Sequence, residues 1–355
     1  MLNFVLYREK LIENGWPGGI VDATLNRSIG LGQYADVQFW LIDCDDELFT
    51  YATRKLLRHR VNVKRATLRT LQLHITPGSW VITYPWLGKI YALMKVLKNV
   101  RWLLTIDVVP LYVRLFSKSF VDRILVNSLA FKALTYRWRK HTAKAELIVA
   151  VSDREAEVLE HVYRIKVNAI IPDPISVELN NLPKRNSLFL VNVKSRDAEA
   201  VQKIINAFRP ERIVINNSTN RPLLPQTSSL DIQILEAPLP HEEFINLMAT
   251  SDLVVLGDRV GSFEMMPLEA IAVGTPVVTP IVPSIEMFQK FSKEYNMDGM
   301  PFLDLDQVCS LNESELHKWF SAAQCAICDS REIIEKHFSV KSVGHQLYQL
   351  IKERA

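Results

Sequence analysis

Short apolar runs alternate with longer amphipathic stretches along most of the chain. Asn3–Tyr7, Asp36–Ile42, Ser79–Tyr84 and Arg101–Val108 have strand length and strand composition, and segments such as Ile20–Leu31 and Lys89–Lys98 between them carry helical spacing. Ala145–Ser152 and Ala169–Asp173 repeat the pattern around a helix expected over Asp153–Arg164. After a polar stretch, Ser176–Asn186, it resumes with strands at Ser187–Val193, Arg212–Asn216, Asp231–Leu235 and Leu253–Leu256 and a helix over Pro240–Thr250. Strand and helix in regular alternation predict parallel βαβ units, so the fold class is α/β.

Residues 251–280 hold the densest signal. Leu253–Leu256 is short and wholly apolar, as a strand buried on both faces must be, and Gly257, Asp258 and Gly261 break it into a loop. Pro267 suits the start of a helix, where its missing N–H costs nothing, while Gly274 and Pro276 stop that helix before Val277 and Val278 begin the next strand. The free N–H groups of the helix then point at the loop over the strand's carboxyl end, a place for an anion and for phosphate above all. Trp16-Pro17-Gly18-Gly19 before the helix at Ile20 predicts a second site of this kind.

The chain of 355 residues exceeds one ordinary core and fits two domains, predicted as residues 1–175 and 187–336 joined by a linker over 176–186. A closing helix over 337–355 is expected to cross back to the first domain. No apolar run reaches the ~18 residues of a spanning helix, and Met1–Tyr7 goes directly into a strand without a basic leader. Four scattered cysteines suit a reducing cytoplasm, and Cys325 and Cys328 fall in a helical setting where packing is their expected role.

Pro267-Leu268-Glu269-Ala270-Ile271-Ala272-Val273-Gly274-Thr275-Pro276-Val277-Val278 resembles the donor-site signature of retaining glycosyltransferases built from two facing Rossmann-like domains, the GT-B architecture, of the family 4 (group 1) kind. The resemblance implies a cleft between the domains and gives Glu269 the donor ribose; on the residues alone, Glu269 is equally a first-turn glutamate favoured by the helix dipole. In that family a first glutamate stands eight positions earlier, where this chain has Gly261, and Gly-Phe-Gly is replaced by Ser262-Phe263-Glu264. Gly261, Ser262, Phe263, Met265 and Met266 are the implied donor-binding loop, with Glu264 a candidate substitute for the missing carboxylate. Lys194 and Arg196 follow the first strand of the second domain, where the family holds the donor diphosphate, although Asn192 replaces the family's glycine. Gly18 and Gly19 resemble the loop facing diphosphate and acceptor, and Ala237–Leu239 the loop that meets the nucleobase. Thr105-Ile106-Asp107 resembles a His-Asp segment with Ile106 in place of histidine; Asp107 is either a cleft-facing catalytic residue or a helix cap.

Charge changes the picture on the acceptor side. Residues 1–146 hold 22 Lys and Arg against 11 Asp and Glu, and the totals of 42 and 39 leave 20 against 28 for residues 147–355, so the two parts carry +11 and −8. Residues 54–69 contain seven bases and no acid, and residues 112–146 mix eight bases with Phe120, Phe131, Tyr136 and Trp138. Both stretches fit an anionic membrane surface, and the second also fits ordinary solvated helices with their aromatic side turned inward. No nucleic-acid recognition motif accompanies the bases, and nucleic acid is not expected as a partner. The combined expectation is a cytoplasmic enzyme, at the membrane surface or away from it, that moves a sugar with retention from a UDP- or GDP-linked donor to a sugar or lipid-linked acceptor. It needs neither cofactor nor metal. The alternative is a nucleotide-sugar-binding scaffold of the same fold that has lost the activity, argued from Gly261 and Ile106.

Overall fold

The computed structural model describes residues 1–7, 9–10, 18–84, 87–106, 129–176, 183–216, 230–235, 239–258, 263–295, 297 and 299–354. The described residues of 1–174 together with those of 338–354 form one compact unit, and those of 175–337 form the other.

The first unit is a seven-stranded parallel sheet with helices on both faces. Its strands are β1 (Leu2–Tyr7), β2 (Val37–Ile42), β3 (Asn62–Ala66), β4 (Trp80–Thr83), β5 (Arg101–Ile106), β6 (Leu147–Ala150) and β7 (Ala169–Ile170), in the order β3-β2-β1-β4-β5-β6-β7. β1, β2, β4 and β6 are buried at every position, which is why they read as continuous apolar runs. Register places Phe4 beside Phe39, whose rings stack with centroids 6.2 Å apart, and beside Ile82. Helices α1 (Gly19–Gly32), α2 (Asp46–Leu57), α3 (Leu87–Val96), α4 (Leu129–Thr142) and α5 (Asp153–Glu157) alternate with the strands, and α5 continues into a wider turn over Val158–Val162. β3 lies at the sheet edge within the basic stretch 54–69, and its sequence, Asn-Val-Lys-Arg-Ala, has the half-exposed character that hid it from a reading of apolar runs.

α1 is buried at every residue from Val21 to Leu31, although it carries Asp22, Thr24, Asn26, Arg27 and Ser28. Each of these side chains makes a hydrogen bond, although Asn26 Oδ1 itself is buried without a partner among the described residues. Arg27, 1% exposed, donates to Asp173 Oδ1 (3.2 Å), Thr105 Oγ1 (3.0 Å) and the Ile171 carbonyl (2.8 Å), and Tyr84 donates to the other oxygen of Asp173 (3.2 Å). Burial pushes the Asp173 carboxyl above its ordinary range, and Arg27 beside it pulls back. This cluster ties the carboxyl ends of β4, β5 and β7 to one helix. Asp22 is held by Lys55 and by Asn26 Nδ2 (3.0 Å).

The second unit repeats the plan with six parallel strands, β8 (Ser187–Val191), β9 (Arg212–Asn216), β10 (Asp231–Leu235), β11 (Leu253–Leu256), β12 (Val277–Thr279) and β13 (Phe302–Asp304), in the order β10-β9-β8-β11-β12-β13. Its helices are α6 (Ala198–Phe208), α7 (His241–Thr250), α8 (Met266–Ala272), α9 (Pro283–Ser292) and α10 (Glu313–His337). Gly274 ends α8 with φ of +85°, a left-handed conformation that a side chain would strain. Cys325 and Cys328 lie on α10 as expected of helical residues, but both are exposed; Ala323, Ala326 and Ile327 take the inner face, so packing is not their role. Among the described residues no helix is long and apolar enough to cross a membrane.

The last helix, α11 (Val340–Lys352), belongs to the first unit and packs on α1. The two helices meet at Gly30 and Gly344, where a Cβ on Gly30 would fall on the Val340 carbonyl and one on Gly344 would fall on the Gly30 backbone. Only glycine at both positions permits that approach.

Candidate active site

In an open parallel sheet a ligand binds outside the carboxyl ends of the strands, at the point where the strand order reverses. In the second unit that point lies between β8 and β11. The loops leaving these two strands are fastened to each other. Gly257 N donates to the Val191 carbonyl at 2.9 Å, and Asn192 Nδ2 donates to Asp258 Oδ2 at 2.5 Å. A Cβ on Gly257 would come within 2.7 Å of Val193 Cα, so the close approach depends on glycine. Asn192 has φ of +52°; the residue standing in for the family's glycine adopts a backbone that glycine favours and asparagine tolerates.

The turn after Asn192 presents Lys194, Ser195 and Arg196 to solvent. Buried Asp197 folds that turn by accepting from Lys194 N at 3.0 Å. Arg196 Nε stands 3.8 Å from Asp197 Oδ1 and is half exposed, a pairing worth little in water. The Lys194 ammonium has no partner among the described residues. Both cations therefore face solvent at the carboxyl end of β8.

On the other side of the reversal point, Phe263 is buried, Glu264, Met265 and Met266 are half buried, and α8 begins. Glu269 lies in its first turn, with N–H donated to the Met265 carbonyl at 3.0 Å. Its side chain is 4% exposed, and Oε1 is 3.0 Å from Nε2 of His241, the first residue of α7. Oε2 bonds none of the described residues. Gly261 and Ser262 lie outside the described residues, as do Ala237 and the residue before Leu239.

The reversal point of the first unit lies between β1 and β4. Gly18 has φ of +70° and accepts from Asp22 N at 3.0 Å, and exposed Gly19 opens α1 with free space around it. Lys55 neutralises Asp22 in this first turn, so the helix end is left without a net negative side chain. Asp107 lies outside the described residues. Ile106 is fully buried in the apolar layer with Leu104 and Ala150.

The helix expected within 112–146 is described from residue 129 onward. Of the two readings of this stretch, Phe131 and Trp138 follow the one with the aromatic side turned inward: both are buried, because helical spacing puts them on the side of α4 that packs inward. Tyr136 is 56% exposed, and Tyr91 on α3 is 53% exposed and contacts His141 edge-on at 5.1 Å. Burial, helped by Lys144, Lys140 and Arg137, holds the His141 imidazole below its ordinary range. His241 and the Asn192–Asp258 bond were not legible in the sequence; the partners stand 28 and 66 residues apart, and no local motif links them.

Among the described residues no group of three His, Cys, Asp or Glu could hold a metal ion. No family model matches the chain, and no curated protein matches it. Solved structures do. Sucrose-phosphate synthase from Thermosynechococcus elongatus superposes with a TM-score of 0.63 at 12% identity, covering 99% of both chains. The N-terminal domain of trehalose-6-phosphate phosphatase from Candida albicans gives 0.63 at 11% identity, covering 99% of this chain and 97% of that one. An α,α-trehalose-phosphate synthase (UDP-forming) from Burkholderia vietnamiensis gives 0.60 at 8% identity over 100% of both chains. With two parallel α/β units in the strand orders described, the chain has the two-Rossmann-domain fold of the retaining GT-B glycosyltransferases.

Proposed function

We propose that the protein transfers a sugar, with retention, from a nucleotide donor bound at the reversal point of the second unit to a sugar or lipid-linked acceptor. The observation that carries this reading is a nearly buried carboxylate, Glu269, in the first turn of the helix that follows β11, together with two solvent-facing cations, Lys194 and Arg196, on the turn that follows β8, the strand beside β11. The carboxylate suits ribose hydroxyls, which donate; the cations suit a diphosphate. Stabilising a departing nucleoside diphosphate is the main electrostatic demand of such a transfer, and fixed cations with helix N–H groups supply it without a metal. UDP is the first donor base to test, since one structural neighbour is named UDP-forming, with GDP next. Glu264, half buried at the entrance to α8, is the carboxylate nearest in sequence for the sugar end, and Gly18–Gly19 open a helix at the first unit's own reversal point. Asp107 keeps its proposed catalytic role on the resemblance alone.

The competing reading is a binding protein without turnover. It is favoured by Ile106, which occupies apolar core where the family places histidine, and by the appearance of the fold in a protein named as a phosphatase. Purified protein incubated with UDP- and GDP-sugars separates the two: release of nucleoside diphosphate supports transfer, and nucleotide binding with no release supports the binding protein. For the acceptor side, α3 and α4 carry Lys89, Lys95, Lys132, Arg137, Arg139 and Lys140 without an acid, which supports an anionic membrane surface beside the site of a lipid-linked acceptor.

A further inference from the structure

The contact between His241 and Glu269 has a role that neither residue type nor motif suggests. Glu269 sits almost wholly out of water, with one oxygen bonded and the other bonding no described residue. Oε2 is not among the fully buried atoms left without a partner, so it lies on the side of the carboxylate open to a donor from outside the chain. A carboxylate oxygen only accepts, so the His241 ring donates through Nε2 to Oε1. That bond fixes the rotation of the carboxylate and leaves Oε2 as the acceptor offered to a ligand. His241 opens α7, two residues after Leu239.

We propose that His241 is a positioning residue for nucleotide binding: its Nε2–H orients Glu269 so that Oε2 receives the ribose hydroxyls. This rests on the reading of Glu269 as the ribose ligand, and the experiment separates the two. Calorimetry with UDP and GDP, and with their 2′,3′-dideoxy counterparts, is run on wild-type protein and on Glu269→Gln, His241→Ala and His241→Gln. For the ribonucleotide that binds, His241→Ala is expected to weaken affinity about tenfold, the size of a charge-assisted hydrogen bond, and to leave the dideoxy counterpart unchanged. His241→Gln, whose amide N–H reaches the same place, is expected to restore most of the loss. Wild-type ribonucleotide affinity in His241→Ala, or equal losses for ribo and dideoxy ligands, would overturn the proposal while leaving Glu269 its role. Equal affinity of wild-type and Glu269→Gln protein, or failure of both nucleotides to bind the wild type, would overturn the ribose reading and the proposal with it.

Discussion

Single residues differ sharply in how much of their role can be read locally. The place of Glu269 in the first turn of a helix was legible because its motif is contiguous: the loop, the Pro267 start and the Gly274 stop all lie within a few residues of it. His241 was not, because its meaning comes from a partner across a crossover. Lys194 and Arg196 stand between these cases. Their position after the first strand of the second unit was readable, while their exposure depends on the turn that Asp197 holds. Replacing both with alanine should weaken nucleoside diphosphate binding far more than nucleoside binding, since the lost attraction is to phosphate; equal losses in calorimetry would place the diphosphate elsewhere. Lys184 offers a test unrelated to ligand. It donates to the Ser251 carbonyl at 2.9 Å and to Thr275 Oγ1, and burial lowers its pKa to about 8, against the pull of Asp252 and with the push of Arg331. Between about pH 8 and the ordinary lysine value near 10.5 the unfolded chain holds a proton that the folded chain has released, so stability gained from this group rises with pH across that window. Lys184→Gln should abolish the rise. Denaturation midpoints of the two proteins that change in parallel across the window would show that the lysine is solvated.

At the scale of elements, periodicity succeeded where burial is two-sided and failed at edges. β1, β2, β4, β8 and β11 stand out as apolar runs because both their faces are covered, whereas β3 has one free edge and a basic sequence. α4 shows the same limit from the other side: its aromatic residues were visible, but which of them face inward depends on a neighbour, α3, far away in sequence. α1 is the strongest departure from pattern, a helix whose polar residues lie inside because α11 covers it and the Arg27 cluster answers its charges. The glycine pair sets that geometry. Gly344→Ala should force the helices apart and lower the stability of the first unit by about 1–3 kcal/mol, the usual cost of overpacking, as read by chemical denaturation. An unchanged midpoint would mean that the two helices can slide without loss.

The whole molecule is divided in charge, +11 over residues 1–146 and −8 over the rest. Concentrated positive charge is self-repelling unless an anionic partner lies against it. The proposed membrane reading can be tested on the exposed bases of 54–69 and of α4, with Tyr91 and Tyr136 beside the latter. Co-sedimentation should show binding to anionic vesicles at low salt, loss of binding at high salt and none to neutral vesicles; no binding to anionic vesicles at low salt would leave a soluble acceptor. The same molecule also has an order of assembly written into its topology. α1 precedes the whole second unit in the chain, and the helix that covers it follows that unit. A nascent chain therefore carries β1, α1 and β2 with Gly30 uncovered while the whole second unit is synthesised, and only after residues 340–352 emerge can the first unit close. Vectorial folding, which in most multidomain chains completes one domain before the next is made, is interrupted here: the first unit can be finished only after the second has been synthesised.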